Sequence, residues 1–224
     1  MTDVKMTSAD TEEKWLELRK QFITASEAAV LLGLNPYSSP NKLKAEKIES
    51  TFKGNSFTRV GQVLEPVVVE VTNEVMDTKF KLYEDVGGKK FFTKGALGAT
   101  PDAVEGDVLL ECKTTRPLTF EKYKENAPLT YLTQLQVQLY CTGTTLGYLA
   151  IMSTDLTMLT EKLIWPLVVY KVERNDAFCT LLEEEVKRFL EEPTFRVNSN
   201  NKKKAQMLLS MSHVKVYFPS PFDN

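Results

Sequence analysis

The stretch of sequence with the most chemistry in it runs Thr100-Pro101-Asp102 and then, nine residues past Asp102, Glu111-Cys112-Lys113. The apolar and β-branched run Val108 to Lys113 reads as a strand, in which alternate residues share a face. Glu111 and Lys113 therefore project to one side, and Leu110 and Cys112 to the other. Gly106-Asp107 is a turn signal that folds the Asp102 segment back on this strand and so brings its carboxylate toward that of Glu111. Two carboxylates so placed repel. A hard divalent cation between them relieves the repulsion, and Mg²⁺ accepts one or two carboxylates, a carbonyl and waters as ligands. The carbonyl of Cys112 is a further candidate ligand. The amine of Lys113 falls where it could orient a metal-bound water, or take its proton if its pKa is lowered. An isolated Glu-x-Lys is equally a solvated strand edge with a weak ion pair.

Other residues carry weaker signals of the same kind. Thr24-Ala25-Ser26-Glu27 has the spacing of a capping box, with Ser26 in the first turn beside free backbone N–H groups, where a phosphate would be welcome. Arg19 could supply its bidentate partner. The competing reading is a second capping group and a surface arginine. Glu65 lies inside a helical pattern beside Pro66, which predicts a kink that turns this region toward the strands. Tyr131, Gln134 and Gln138 share one helical face, whereas Gln136 points elsewhere; an ordinary polar face is the alternative.

The elements that must position these groups follow from periodicity and caps. A first helix is expected near 11–21, capped by Asp10, and a second from Thr24 to about Gly33. A third spans Asn41 to Ser50 behind Ser39-Pro40, and a longer one Phe57 to Met76, with Val60, Leu64, Val68 and Val71 one turn or two apart. Lys53 to Ser56 breaks the chain. Strands are expected over Phe80 to Asp85, Lys89 to Thr93, Ala96 to Thr100 and Val108 to Lys113, with a turn at Gly87-Gly88. Helices at Thr119 to Glu125 and Leu129 to Cys141, strands at Leu146 to Met152 and Leu159 to Val172, and a helix capped at Asn175 and ending at Glu191 complete the core. This order predicts an α+β or mixed α/β fold around one central mixed β-sheet flanked by helices. The whole chain, 1–224, reads as a single domain with its core at about 11–192 and an extended arm from about 193 to 224, containing Lys202 to Lys204 and Phe218-Pro219-Ser220-Pro221.

Composition narrows the chemistry. With 224 residues, 28 basic against 30 acidic side chains and a formal charge of −2, any nucleic-acid site must be a local patch. Three scattered cysteines exclude a zinc knuckle, an iron–sulfur cluster and a disulfide framework and suit a reducing cytoplasm. A lone histidine, His213, excludes His-dependent triads and zinc hydrolases. No apolar run is long enough for a membrane span, and the first residues lack a signal-peptide core.

Pro101-Asp102, Glu111 and Lys113 together spell the P-D…E-x-K signature of a large nuclease superfamily. In one order the chain also carries Leu18-Arg19, Ile23 to Glu27, Gly61-x-x-x-Glu65-Pro66, the P-D…E-x-K set and Tyr131-x-x-Gln134-x-Gln136. Over roughly residues 12–190 this resembles the YqaJ-type viral recombinase family, the group that includes phage lambda exonuclease. The resemblance implies a restriction-endonuclease-like core and a Mg²⁺-dependent 5′-to-3′ exonuclease on linear double-stranded DNA that releases mononucleotides and leaves a 3′ tail for recombination. It implies two metal ions, with Mn²⁺ as a substitute, held by Asp102, Glu111, Glu65 and the Cys112 carbonyl, and Lys113 and Gln134 beside them. Arg19, Ser26, Thr100, Arg116 and Tyr131 would contact the 5′-phosphate end or the DNA. A homotrimeric ring, a single-strand annealing partner and a phage or prophage origin within a bacterial cytoplasm come with it. In such a ring, basic residues would line the channel and the acidic Glu183 to Glu185 would face outward. A sequence-specific endonuclease of the same superfamily, or a DNA-end-binding module without catalysis, are the rival readings.

Overall fold

The computed structural model describes residues 3–8, 11–49, 56–83, 90–155 and 165–217. Its first half holds β1 (Lys5–Ser8), α1 (Glu12–Lys20), β2 (Ile23–Thr24), α2 (Ala25–Leu31), α3 (Pro40–Glu49), α4 (Ser56–Met76), β3 (Lys81–Leu82), β4 (Lys90–Lys94) and β5 (Leu97–Ala99). Then follow β6 (Ala103–Glu105), β7 (Val108–Thr115), α5 (Pro117–Glu125), α6 (Leu129–Thr142), β8 (Leu146–Ser153), β9 (Leu167–Glu173), α7 (Asp176–Glu191), α8 (Ser199–Ser210) and β10 (His213–Tyr217). The expected cap at Asp10, the break at Lys53 to Asn55, the Gly87-Gly88 turn, the start of the strand at Leu159 and Phe218 to Pro221 lie outside the described residues.

The strands form two sheets rather than the one expected. Four strands run β1-β4-β5-β2, and six run β10-β9-β8-β7-β6-β3. β4 and β5 form a hairpin, and β5 lies parallel to β2, pairing Leu97 with Ile23 and Gly98 with Thr24. β1 is exposed at every position, so its sequence carries no burial pattern; what makes it a strand is backbone pairing with β4 from Lys5↔Thr93 to Ser8↔Lys90. In the larger sheet β7 and β8 are parallel and in register from Val108↔Leu146 to Thr115↔Ser153, joined through α5 and α6 as a crossover connection requires.

β7 is buried on both faces. Leu109 packs with Leu132, Leu135 and Leu139 of α6 and with α2 and α7. Leu110 and Cys112 pack with Val68 and Val71 of α4, Phe80, Ala150 and Met152. The six-stranded sheet is thus the middle layer between α4 and the α2, α6 and α7 group. α4 continues through Pro66; Val60 is 47% exposed, whereas Val68 and Val71 are buried. α6 is enclosed nearly all round, Gln136 and Gln138 being as buried as its leucines, so the polar face expected there is not a solvated one.

Caps explain several boundaries. α1 is capped by the Thr11 side chain, which accepts from the Lys14 N–H, and α7, as expected, by Asn175, which accepts from the Phe178 N–H. The extended arm expected from residue 193 is instead α8 and β10. Asn198 accepts from the N–H groups of Asn200 and Asn201, Ala205 and Leu209 bury against the core, and β10 pairs with β9 at the sheet edge. A helix with only two buried positions leaves almost no periodicity to read, which is why this segment looked featureless.

Candidate active site

The hairpin between β6 and β7 sets the geometry of the acidic pair. Glu105 pairs with Val108 across the two-residue turn Gly106-Asp107, where Gly106 takes φ +57°, a conformation that favours glycine. Ala103 pairs with Leu110, so the next positions along the ladder, Asp102 and Glu111, lie opposite one another. Opposed residues of an antiparallel pair point to one face. β6 stops at Ala103, which leaves the Cys112 N–H without a ladder partner, and the Asp102 carboxylate takes it through Oδ2 at 2.8 Å. A strand residue directs its N–H and carbonyl to the same edge, so the Cys112 carbonyl also faces the Asp102 side.

Glu111 is fully buried and its carboxylate is held by three donors. Lys113 Nζ and Gln134 Nε2 reach Oε1, the second at 2.5 Å, and Gln138 Nε2 reaches Oε2 at 2.5 Å. Lys113 keeps 22% of its side chain exposed, with its ammonium 5.5 Å from the centre of the Tyr131 ring, which in turn packs edge-on against Tyr123. Glu65, half-buried on α4, adds its charge to the same cluster.

Burial, then the charges of Glu111 and Glu65, push the Asp102 carboxyl well above the usual carboxylate range, against the opposing pull of Lys113 and the Cys112 N–H. Burial alone would lower the Lys113 pKa, but Glu111 and Asp102 outweigh it and raise it above an ordinary lysine's. The lowered pKa considered from the sequence is therefore corrected: paired with Glu111 and in the field of Asp102, Lys113 is an ammonium. Burial likewise raises the Cys112 thiol well above its usual value, so that residue offers its carbonyl rather than a reactive sulfur.

Among the described residues, no three His, Cys, Asp or Glu side chains close into a ready-made metal cage. The donor set still suits a hard cation: two opposed carboxylates whose repulsion it would relieve, a carbonyl at their edge, and no imidazole or thiolate. A carboxylate offers about four lone-pair positions; among the described residues Lys113, Gln134 and Gln138 fill three of those on Glu111, which leaves one for a cation.

A second cluster gathers at the start of α2. Thr24 opens this helix, its N–H bonded to Glu27 Oε2 at 2.8 Å and its hydroxyl 3.2 Å from that of Ser26. Arg19 Nη2 donates to Ser26 Oγ at 3.4 Å, and its guanidinium sits 4.4 Å from the centre of the Trp15 ring. Burial lowers the Arg19 pKa, with Glu27 opposing. α2 has only seven residues, so the positive charge here rests on the guanidinium more than on the helix dipole. Lys47 Nζ donates to the carbonyls of Arg19 and Phe22 at 3.1 and 2.6 Å and pairs with Glu27 at 2.8 Å. A cavity of about 460 Å³ opens beside Arg19, Ser26 and Lys47.

Thr100 joins the two clusters. Its hydroxyl accepts from Trp15 Nε1 at 3.1 Å and its carbonyl from Gln138 Nε2 at 3.2 Å. Arg116 stands exposed at the N-cap of α5, where β7 has run past the acidic pair. Trp15, Lys47 and the bonds of Gln138 were not read as site features from the sequence. Trp15 lies one helical turn before Arg19, so spacing could have indicated it, and spacing did place Gln138 on the face of Gln134; nothing local marks Lys47.

Residues 14–145 match the YqaJ-like viral recombinase domain. Over 189 residues, 77% of its length, the chain is 25% identical to the uncharacterized protein YqaJ of Bacillus subtilis (strain 168) and covers 53% of that relative, about half its length. Among solved structures, the fold is similar to an alkaline exonuclease (LHK-Exo) from Laribacter hongkongensis, with a TM-score of 0.63 at 22% identity over 89% of this chain and 97% of that one. The same enzyme in complex with dAMP gives 0.61 at 22% identity, with the same shares of each chain. A phage related exonuclease from Haemophilus somnus 129PT gives 0.52 at 14% identity over 88% and 100%. The structural likenesses establish a shared fold. The domain match takes in more than half of the sequence, including Arg19, Ser26, Glu65, Asp102, Glu111 and Lys113, and the chain belongs to the YqaJ-like viral recombinase family.

Proposed function

We propose that this protein is a Mg²⁺-dependent 5′-to-3′ exonuclease acting on linear double-stranded DNA with a 5′-phosphate end, releasing mononucleotides and leaving a 3′ single-stranded tail. The observation that carries the reading is the β6–β7 register, which sets Asp102 opposite Glu111 with the Lys113 ammonium on the same carboxylate. The fold shared with named exonucleases supports it, as does the dAMP complex of one of them, a mononucleotide of the product's class.

Asp102, Glu111 and Glu65, with the Cys112 carbonyl, are the residues that would hold Mg²⁺ or Mn²⁺, one ion or two, which would supply Lewis acidity and an acidified water. Lys113 presents a positive charge and N–H donors where negative charge gathers on the scissile phosphate. Its ammonium form makes it a donor that orients the attacking water rather than a free base; it can accept a proton only once the charge of Glu111 and Asp102 has been offset. Gln134 steadies Glu111 without adding charge. Arg19 and Ser26 hold the terminal 5′-phosphate, and the Trp15–Thr100 link sets that pocket's position relative to the acidic pair. Tyr131, beside Lys113, lines the approach for the DNA end, and Arg116 sits where it could meet the backbone further out. Homotrimeric assembly into a ring around DNA and a single-strand annealing protein as partner complete the proposal; light scattering of the purified chain tests the first.

The deciding experiment incubates linear 5′-phosphorylated, linear 5′-hydroxyl and covalently closed DNA with the protein, with Mg²⁺ or with EDTA, and follows mononucleotide release. The proposal expects release from linear ends only, faster from 5′-phosphate, and none in EDTA. Cleavage of closed circles would favour an endonuclease. End binding without hydrolysis in Mg²⁺ would favour a non-catalytic module.

A further inference from the structure

α6 buries two glutamines that are built differently. Gln136 is matched at both ends of its amide: Nε2 donates to the Glu173 carbonyl at 2.7 Å, and Oε1 accepts from the Asn175 N–H at 2.8 Å. It is a structural peg between α6 and the start of α7. Gln138, equally buried, spends both N–H donors on Glu111 Oε2 and the Thr100 carbonyl, while its Oε1 is buried with no hydrogen-bond partner among the described groups.

A buried carbonyl without a partner costs stability that an apolar side chain of the same shape would not lose. What the amide gains for that cost is placement. Lys113 and Gln134 both act on Oε1 of Glu111, and Gln138 is the donor seen on Oε2, so it determines the rotation of the carboxylate about its last bond. Its other N–H holds Thr100, two residues before Asp102, so one amide spans the backbone that carries the first acid and the side chain of the second. Two committed donors also fix the amide's orientation, because a flipped amide would set Oε1 against a carboxylate and a carbonyl.

We infer that Gln138 is a positioning residue for the Asp102–Glu111 pair, setting the carboxylate geometry that decides cation affinity. This rests on the metal-dependent reading above. Outer partners of metal-binding carboxylates typically contribute about 10–100-fold in affinity or activity.

The test measures Mn²⁺ binding to the full chain by isothermal titration, alongside thermal unfolding and steady-state kinetics on 5′-phosphorylated duplex, for wild type, Q138M and Q136M. Q138M strands Glu111 Oε2 and the Thr100 carbonyl, Q136M strands the Glu173 carbonyl and the Asn175 N–H, and both should lower the melting temperature. Only Q138M should lose Mn²⁺ affinity, by about 10–100-fold, with kcat reduced and KM for DNA ends unchanged. Should Q138M fail to fold, Q138N keeps the amide but withdraws it by one methylene and is expected to show the same loss. Mn²⁺ affinity in the folded variant within about threefold of wild type, or an equal loss in Q136M, would overturn the role of Gln138. A wild-type chain that takes up no Mn²⁺ would overturn the metal reading itself and this role with it.

Discussion

Asp102→Asn separates what this site does for the fold from what it does for chemistry. The cross-strand register puts Asp102 opposite Glu111, a separation of roughly 4.5–5.5 Å between opposed Cβ atoms. At an effective dielectric of about 20, two full charges at that distance repel by about 3 kcal/mol. Lys113 offsets part of this and Asp102 is not fully enclosed, so a net relief of about 1–2 kcal/mol is the working figure. Asparagine is nearly isosteric and its amide oxygen can still accept from the Cys112 N–H. In EDTA near neutral pH, D102N is therefore expected to melt higher than wild type, by roughly 2–8 °C for a chain of this size. The pH dependence has a definite sign. The folded-state pKa of Asp102 is raised above its unfolded value near 4, so folding takes up a proton and stability falls as pH rises from the unfolded toward the folded pKa. The advantage of D102N should thus widen with rising pH and close toward about pH 4. Excess Mg²⁺ should raise the melting temperature of wild type only, and the variant should release no mononucleotides. D102N melting below wild type in EDTA, or a gap that ignores pH, would refute the electrostatic reasoning.

Lys113→Met should cut mononucleotide release by about 100–1,000-fold while end binding, read by gel shift, is retained. The same change leaves the buried Glu111 short of a partner and should cost about 3 kcal/mol in EDTA; because the lysine pKa is raised, that cost should hold from neutral pH up to about pH 10 and shrink only in stronger alkali. Arg19→Ala should narrow the rate difference between 5′-phosphate and 5′-hydroxyl ends, and an unchanged preference would remove Arg19 from the pocket. A methyl group at Gly98 would run into the ring of Phe91 and crowd Phe22. Gly98→Ala should cost about 1–3 kcal/mol in urea unfolding, and because Gly98 pairs with Thr24 at the opening of α2, the 5′-phosphate preference should weaken with it.

The acidic pair was legible because each of its signals is local. Alternation placed Glu111 and Lys113 on one face of a strand, a Gly-Asp turn folded Asp102 back on it, and a capping box marked the helix that carries Ser26. The amphipathic α7 and its Asn175 cap were readable for the same reason: period and cap lie within a few residues of one another. Family likeness then tied together motifs that no single period connects.

Contacts between distant segments depended on the tertiary structure. Trp15 reaches Thr100 across 85 residues of chain and Lys47 reaches the Arg19 carbonyl across 28, and no local pattern encodes either meeting. The exposed β1, whose side chains bury nothing, leaves no trace in hydropathy, and its pairing with β4 is what makes it a strand. Burial decided the electrostatics: a Glu-x-Lys that could have been a solvated edge lies instead between α4 and α6, where Glu111 loses its water, gathers three donors, and holds Lys113 charged rather than freeing it as a base. Residue types and short spacings specify which groups share a face; how much water and which neighbours they keep depends on every layer packed around them.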